Sequence, residues 1–161
     1  MGNVSKSGRS ICIIHPNKNS YSETFIHNHI NYLPAKVHVL YQLENLTHQG
    51  NDEKPLVPRA ARVASRWCSA LCGYLKSSSR IPHDKKLDRI DTFFLTGFLK
   101  SGKMDAVLAE YGLTGVAVID ACRSARVPLI VHFHGFDAHS NFVLEPYALF
   151  YREVFSYAKA I

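Results

Sequence analysis

The densest group of chemically active side chains lies in the segment His132-Phe-His134-Gly-Phe-Asp137-Ala-His139. Side chains alternate between the two faces of a β-strand, so this spacing places His132 and His134 on one face. One interpretation is an organic ligand site at the end of a strand. Gly135 would let the backbone turn, His134 would project into a cleft, and Asp137 would orient the histidine or cap the next segment.

A metal site is the second interpretation, because His-x-His followed by Asp and His is similar to ligand runs of metallohydrolases. Known runs of this type have one residue fewer between the second histidine and the aspartate. They also recruit further ligands from downstream sequence, which this chain lacks. The pattern therefore favours an organic ligand, and we expect no metal here. A purely structural strand end is the third interpretation.

The elements that must position this segment form a β-α-β unit. The apolar pattern predicts a strand at Asp105 to Tyr111, a turn at Gly112 to Gly115, a helix at Val116 to Arg126 and a strand at Leu129 to Phe133. A final helix is predicted from Glu145 or Pro146 to about Ala158.

The first part of the chain shows the same alternation. The sequence predicts a strand at Ser10 to His15, a helix from a cap at Ser20 or Ser22 to about Leu33, and a strand at Lys36 to Tyr41. His29 falls within the helical spacing of the apolar residues. Alternating strands and helices favour an α/β fold with a parallel, doubly wound sheet, whose ligands lie at the carboxyl ends of the strands.

Three of those strand ends carry polar groups, namely His15-Pro-Asn17, Glu110-Tyr-Gly112 and the histidine segment. Two further segments are predicted between the β-α-β units. Glu44 to Pro58 is polar and contains glycine and proline, which is typical of an excursion loop. Leu87 to Leu99 has large apolar residues at helical spacing and is predicted to be a helix.

A basic amphipathic helix is predicted from Pro58 to Lys76. Its apolar residues repeat at three and four, while Arg59, Arg62 and Arg66 lie mostly off that stripe. In one interpretation the helix packs on the core and its basic face is solvated. In the other it rests on anionic lipid, with Trp67 at the interface.

The composition limits the class of protein. A chain of 161 residues, 47% of them apolar, is long enough for one domain with a sizeable core. The formal charge of +6 favours anionic partners, but no nucleic-acid partner is expected because the basic residues are not interleaved with a reader motif. We expect neither a signal peptide nor a spanning helix. Four cysteines without a CxxC pair favour reduced thiols in a cytoplasmic protein.

Several segments together resemble the N-terminal domain of family 4 glycosyltransferases. Leu108-Ala-Glu-Tyr-Gly112 is followed by Thr114-Gly-Val-Ala117, and after a helix by Pro128-Leu-Ile-Val-His-Phe-His-Gly-Phe-Asp-Ala138. The early segment Ser22-Glu-Thr-Phe-Ile26 is similar to that family too. The resemblance runs from about Ile11 to the last residue, with a less similar stretch from Glu44 to Asp91. Only the His-Gly-x-Asp segment is specific.

The resemblance implies a GT-B architecture, in which two Rossmann-like domains face each other across a cleft. The C-terminal domain of such enzymes holds the nucleotide sugar, and the N-terminal domain holds the acceptor. Residues 1–161 would then be the acceptor-side domain of a retaining hexosyltransferase, without the donor-binding domain. Its partners would be a glycan or lipid-linked acceptor, a nucleotide sugar bound by the absent domain, and the inner face of an anionic membrane. No cofactor is implied.

The resemblance also implies roles for individual residues. The strand-end histidine of the family, which lies near the reacting sugar, corresponds to His134 as the catalytic residue. Glu110 would orient an acceptor hydroxyl, or would be an exposed surface carboxylate. The first loop corresponds to Pro16 to Glu23, where Asn-Lys-Asn-Ser replaces the glycines of many members, so a backbone phosphate cradle is not expected. The predicted substrate-binding set is Asn17, Ser22, Glu23, Glu110, Tyr111, Gly135 and Asp137.

Two functions of other classes stay open. One is a non-catalytic Rossmann-like binding or regulatory module, or one half of a split transferase. The other is a metal-dependent hydrolase. The segment Ser156 to Ile161 contains neither a glycine stop nor an evident strand, although a strand begins here in the family. We therefore expect that the isolated chain does not transfer sugar.

Overall fold

The computed structural model describes residues 8–17, 24–49, 53–64 and 85–161. Their strands form one five-stranded sheet in the order β3-β2-β1-β4-β5. All neighbouring strands are parallel except β3, which pairs antiparallel with β2. The strands are β1 (Ser10–His15), β2 (Lys36–Tyr41), β3 (Thr47–His48), β4 (Ala106–Glu110) and β5 (Leu129–His132). The prediction of an α/β fold with a mostly parallel sheet is confirmed, and the arrangement is compatible with a Rossmann-like fold.

Helices flank the sheet on both faces. Helix α1 reaches the face that carries Glu110, because its His29 contacts that carboxylate. Helix α4 lies on the opposite face, where its Gly115 approaches Val131 of β5, and it packs against α3 and α6. The helices are α1 (Thr24–Tyr32), α2 (residues 59–64), α3 (Arg89–Ser101), α4 (Gly112–Ala125), α5 (Gly135–His139) and α6 (Asn141–Tyr157).

The apolar strands form because both of their faces are covered. Strand β1 shows this clearly. Cys12 and Ile14 point to one face of the sheet and Ile13 to the other, and all three are fully buried. Burial raises the pKa of Cys122 to about 12 and holds that of Cys12 above its usual range. These two cysteines are free thiols in the interior of the sheet and its helices.

The region from Glu44 to Pro58 is more structured than an excursion loop. A single turn of 3-10 helix (Leu43–Asn45) leads into β3, and Pro55 forms a β-bridge with Thr47. Leu46 and Val57 are fully buried. The loop prediction was wrong at these positions because the glycine and prolines mark turns but do not reveal two apolar anchors among polar residues.

The turn predicted from Gly112 to Gly115 is also wrong. Helix α4 begins at Gly112, directly after Tyr111, and ends at Ala125, which is followed by Arg126 in the left-handed conformation. The last helix, α6, was predicted to begin at Glu145 or Pro146. It begins at Asn141 instead, so Pro146 lies inside it. After α6, Ala160 forms a parallel bridge with Ile130 of β5, although the sequence showed no evident strand there.

Two predictions fall on residues outside the described ranges. They are the helix caps Ser20 and Ser22 and the continuation of the basic helix from residue 65 to Lys76. Among the described helices, none is long and apolar enough to cross a membrane.

Candidate functional site

A row of four side chains crosses the sheet at the carboxyl ends of its parallel strands. Tyr41 pairs with His15, and Glu110 pairs with His132. The pairing of Ile14 with Ala109 brings His15 next to Glu110. The four residues share one face because they occupy the same register position, so the strand ends assemble a polar row without help from loops.

Glu110 is the centre of this row, and its side chain is completely buried. Three imidazoles contact its carboxylate. Nδ1 of His29 lies 2.6 Å from Oε1, Nδ1 of His132 lies 3.0 Å from Oε2, and Nε2 of His134 lies 3.3 Å from Oε2. A buried carboxylate needs such partners, because an unpaired charge in the interior is very costly. The interpretation of Glu110 as an exposed surface carboxylate is therefore wrong.

Helix α1 supplies two of the residues around this carboxylate. Phe25 and His29 are four positions apart, so they lie on the same side of the helix, one turn from each other. The ring of Phe25 stacks on His134 with a centroid distance of 4.0 Å, while His29 reaches the carboxylate. Phe25 and His29 were not among the predicted site residues. The signal for His29 was its place on the inward stripe of the helix, where a titratable residue needs a buried partner.

The hydrogen bonds fix which nitrogen of each histidine carries a proton. A carboxylate only accepts, so the imidazole nitrogens that face it are the donors. His134 therefore donates through Nε2, and in the neutral ring Nδ1 keeps a lone pair for another partner. The side chain of His134 is 16% exposed, so it does not project freely from the strand end. It is held between Phe25, Tyr111 and Glu110.

Asp137 connects the histidine segment to the start of α4. It is completely buried, and its Oδ2 accepts a hydrogen bond from the backbone N–H of Gly112. A carboxylate at a helix N-terminus accepts a hydrogen bond from a backbone N–H that has no partner within the helix. Its negative charge also interacts favourably with the positive end of the helix dipole. Asp137 was predicted to cap the segment that follows it, but it instead caps the start of α4, which precedes it in the chain.

Gly112 and Gly135 differ in what their surroundings require. A Cβ at Gly112 would lie 2.3 Å from Cε1 of Phe133, so only glycine allows this close packing. A Cβ at Gly135 would meet nothing within 4 Å, and no glycine among the described residues has a positive φ. The chain passes from β5 into helix α5 at this point, but neither a positive φ nor close packing makes glycine necessary at position 135.

Strain at the strand end is found instead at Tyr111. Its φ of 74° lies in the left-handed region that residues other than glycine rarely adopt. The surrounding hydrogen bonds hold this conformation, including the one from its N–H to the carbonyl of His132. Its ring lies 4.5 Å from that of His134, which brings two predicted site residues together.

The remaining predicted residues are more scattered. Asn17 is exposed at the end of β1, and His139 is exposed in α5. Ser22 and Glu23 lie outside the described residues, as do Arg66 and Trp67 of the basic helix. Of the other two residues predicted to contact a membrane, Arg59 is exposed. Arg62 instead donates two hydrogen bonds to Asp91, of 2.7 and 3.3 Å.

Asp91 explains why Arg62 points inward. Its side chain is only 6% exposed, and burial raises the pKa of its carboxyl while the hydrogen bonds from Arg62 oppose that rise. The ion pair joins α2 to α3, so this part of the basic helix is anchored to the core. A membrane contact through Arg62 would require the loss of this pair.

Two concave surfaces adjoin the row on the β2 side. Both are lined by Gln42, Glu44 and Asn45, which follow β2. One has a volume of about 530 Å³ and extends to Arg59 and Arg62, and the other, of about 490 Å³, reaches Pro16. Both walls carry amide and carboxylate groups, and the first also carries guanidinium groups, which suit a polar ligand better than an apolar one.

Comparison of the chain with models of protein families, with curated proteins and with solved structures found no match. The resemblance to family 4 glycosyltransferases therefore stays a prediction from the sequence. The site geometry has to be interpreted through its own chemistry.

Proposed function

We propose that the chain is the acceptor-side domain of a retaining glycosyltransferase, one half of a GT-B architecture. The observation that supports this best is the meeting of the two family-like segments at one edge of the sheet. Nε2 of His134 lies 3.3 Å from Oε2 of Glu110, and Asp137 accepts the N–H of Gly112. These contacts join residues that are 24 and 25 positions apart in the sequence.

The topology supports a ligand at this edge. Helix α1 leads from β1 to β2, and α4 leads from β4 to β5, so the chain winds outward in both directions from the pair β1 and β4. We infer a doubly wound, Rossmann-like sheet whose switch point lies between these strands. Ligands of such sheets bind beyond the carboxyl ends at the switch point, where His15 and Glu110 lie side by side.

His134 is the residue that would contact the sugar. Its Nδ1 would accept a hydrogen bond from a hydroxyl group, because Nε2 is engaged by Glu110. Sugar transfer with a diphosphate leaving group needs a positioned acceptor and stabilisation of an oxocarbenium-like centre, which fixed hydrogen-bonding groups supply. Glu110 is too deeply buried to touch the acceptor, so it acts by orienting His134.

The two concave surfaces beside Gln42 are the best candidates for the acceptor. Neighbouring strands are about 4.8 Å apart, so Tyr41 at the edge of the larger cavity lies roughly 10 Å from Glu110 across β1. That distance is close to the length of two sugar units. A glycan or lipid-linked glycan lying along Gln42 and Asn45 would thus extend its terminal hydroxyl toward His134.

The proposal includes a cytoplasmic location at the inner face of a membrane. Arg59 is exposed on α2 and free to approach anionic head groups, whereas Arg62 is held by Asp91. A basic residue near an anionic surface contributes about 1 kcal/mol to binding. Arg59 alone would therefore give only weak and salt-sensitive attachment.

The test is transfer of radiolabelled sugar by the chain alone and by the chain completed with a donor-binding domain. We expect no transfer and no tight nucleotide-sugar binding by residues 1–161, and micromolar binding, about −8 kcal/mol, by the completed protein in calorimetry. Robust transfer by the isolated chain would contradict the two-domain proposal. A completed protein that binds glycans but transfers nothing would point to a binding module instead.

A further inference from the structure

Three donor atoms around Glu110 lie close enough together to hold one ion. The ring nitrogens of His29 and His132 and a carboxylate oxygen of Glu110 are all within 4.8 Å of one another. The three residues come from α1, β4 and β5, so they meet only in the folded chain. We propose that His29, Glu110 and His132 form a binding site for a divalent transition-metal ion, with zinc as the best fit.

The donor set selects the class of metal. Two imidazoles and one carboxylate are suited to zinc, iron, nickel or copper, whereas magnesium and calcium prefer oxygen ligands alone. Zinc accepts this set in tetrahedral sites with three protein ligands and one further position. The site is therefore of the open type, in which water or a ligand anion completes the coordination.

The distances are compatible with insertion of an ion after a small movement. Two ligands of a tetrahedral zinc ion are about 3.3 Å apart, and the nitrogen to oxygen distances to Glu110 are 2.6 Å for His29 and 3.0 Å for His132. The nitrogen to oxygen distance would have to open by about 0.7 Å for His29 and by about 0.3 Å for His132. Glu110 is fixed in the interior, but the side chains of His29 and His132 are 31% and 41% exposed, so they have room to move and leave a path from solvent.

The charge of the site favours a cation. Glu110 is a fully buried carboxylate that faces three imidazoles. A bound dication would compensate its charge directly, and each metal-bound imidazole would act as a neutral ligand. His134 stays beside the open position, with its Nε2 3.3 Å from the carboxylate. There its Nε2–H donates to Glu110 and so helps to orient this carboxylate as a metal ligand.

This set differs from the metal pattern suggested by the sequence. That pattern used Asp137 and His139, but Asp137 binds the N–H of Gly112 and His139 is exposed. The structure replaces them with His29 and Glu110. The proposal does not depend on sugar transfer, because it concerns only the affinity of the chain for a metal.

The test is zinc and cobalt binding by the untagged 161-residue chain in the absence of any nucleotide sugar. We expect one zinc per chain by mass spectrometry of dialysed protein, and visible absorption of cobalt at the same stoichiometry. His29→Ala and His132→Ala should each weaken zinc binding at least tenfold, since loss of an outer-shell partner of a metal ligand already costs about 10–100-fold. His27→Ala is the control for His29→Ala on helix α1, and His139→Ala is the control for His132→Ala in the histidine segment. Both control histidines are exposed, so these variants should bind zinc as tightly as the unaltered chain does.

Circular dichroism will show whether the variants fold. If His29→Ala does not, the unaltered chain still decides the matter, because zinc should raise its melting temperature by several degrees at saturating concentration and magnesium should not. Absence of stoichiometric zinc would overturn the proposal. Equal loss of affinity in the control variants, or equal stabilisation by magnesium, would overturn it too. None of these outcomes bears on the glycosyltransferase proposal.

Discussion

Nδ1 of His29 lies 2.6 Å from Oε1 of Glu110, although the two residues are 81 positions apart in the chain. This contact ties helix α1 to the end of the central strand β4. It is the shortest of the three imidazole contacts to the carboxylate. The site therefore depends on how α1 packs on the sheet as much as on the strand ends themselves.

His29→Ala should lower the free energy of unfolding by about 1.5–3 kcal/mol, because a hydrogen bond to a buried carboxylate is lost. His27→Ala, on the exposed side of the same helix, should change it by no more than about 0.5 kcal/mol. Urea denaturation of both variants makes the comparison. Combining His29→Ala with Glu110→Gln should give a coupling energy of at least about 0.5 kcal/mol, and additive effects would show that the two side chains do not interact.

Substitution of two glycines by alanine should have opposite effects. Gly112→Ala places a Cβ against the ring of Phe133 and should cost about 1–3 kcal/mol of stability. Gly135→Ala meets no atom within 4 Å and lies in a helix, so it should be neutral or stabilising by about 0.5–1 kcal/mol. Thermal denaturation of the two variants measures the contrast. If both substitutions changed stability equally, then either Phe133 moves aside to admit a Cβ at position 112, or the backbone conformation at position 135 requires glycine.

Arg62→Gln should destabilise the protein by about 1–3 kcal/mol at neutral pH, since Asp91 loses its main partner while nearly buried. The pKa of Asp91 is already raised, mainly by burial, and loss of Arg62 should raise it further. A raised carboxyl pKa means that the folded state binds the proton more tightly, so the deficit should shrink as the pH falls toward that pKa. Urea denaturation at several pH values checks this, with Arg59→Gln, an exposed arginine of the same helix, as the control.

The pKa of Glu153 is shifted in the opposite direction to that of Asp91. Burial alone would raise the pKa of its carboxyl, but hydrogen bonds from Lys86 and Arg123, at 2.9 and 3.0 Å, outweigh burial and lower it. A lowered pKa adds stability above the ordinary value of about 4.3, and that stability is lost as the pH falls through the folded pKa. Because the side chain is 32% exposed, Glu153→Gln should cost only about 0.5 kcal/mol at neutral pH. The difference from the unaltered protein should vanish in acid, and a constant difference would contradict the assignment.

His134→Ala should lower the turnover of a completed glycosyltransferase by about 100-fold or more, as expected when a contact to the transition state is lost. Stability should change much less than turnover. His139→Ala, an exposed histidine five residues further on, should leave turnover unchanged. Steady-state kinetics of the two variants provides the measurement. Full activity of the His134 variant would remove this residue from the mechanism.

Local patterns were enough to predict most of the regular elements. The bounds of β1 and β2 follow from their apolar runs and coincide with the structure. Helix α3 was predicted within two residues at each end from its apolar spacing. The structure adds that Asp88 caps its first turn. The convergence of Glu110 and His134 was also implied, since parallel strands end at the same edge.

Other features were decided only by contacts between distant residues. Gly112 begins a helix where the carboxylate of Asp137, 25 residues later, accepts its N–H. Strand β3 forms between Leu46 and Val57, which are both buried. His29 became a site residue through the packing of α1. A sequence records which side chains prefer the interior and which backbone groups need partners. The choice of partner depends on how the helices pack on the sheet, and that choice is made in three dimensions.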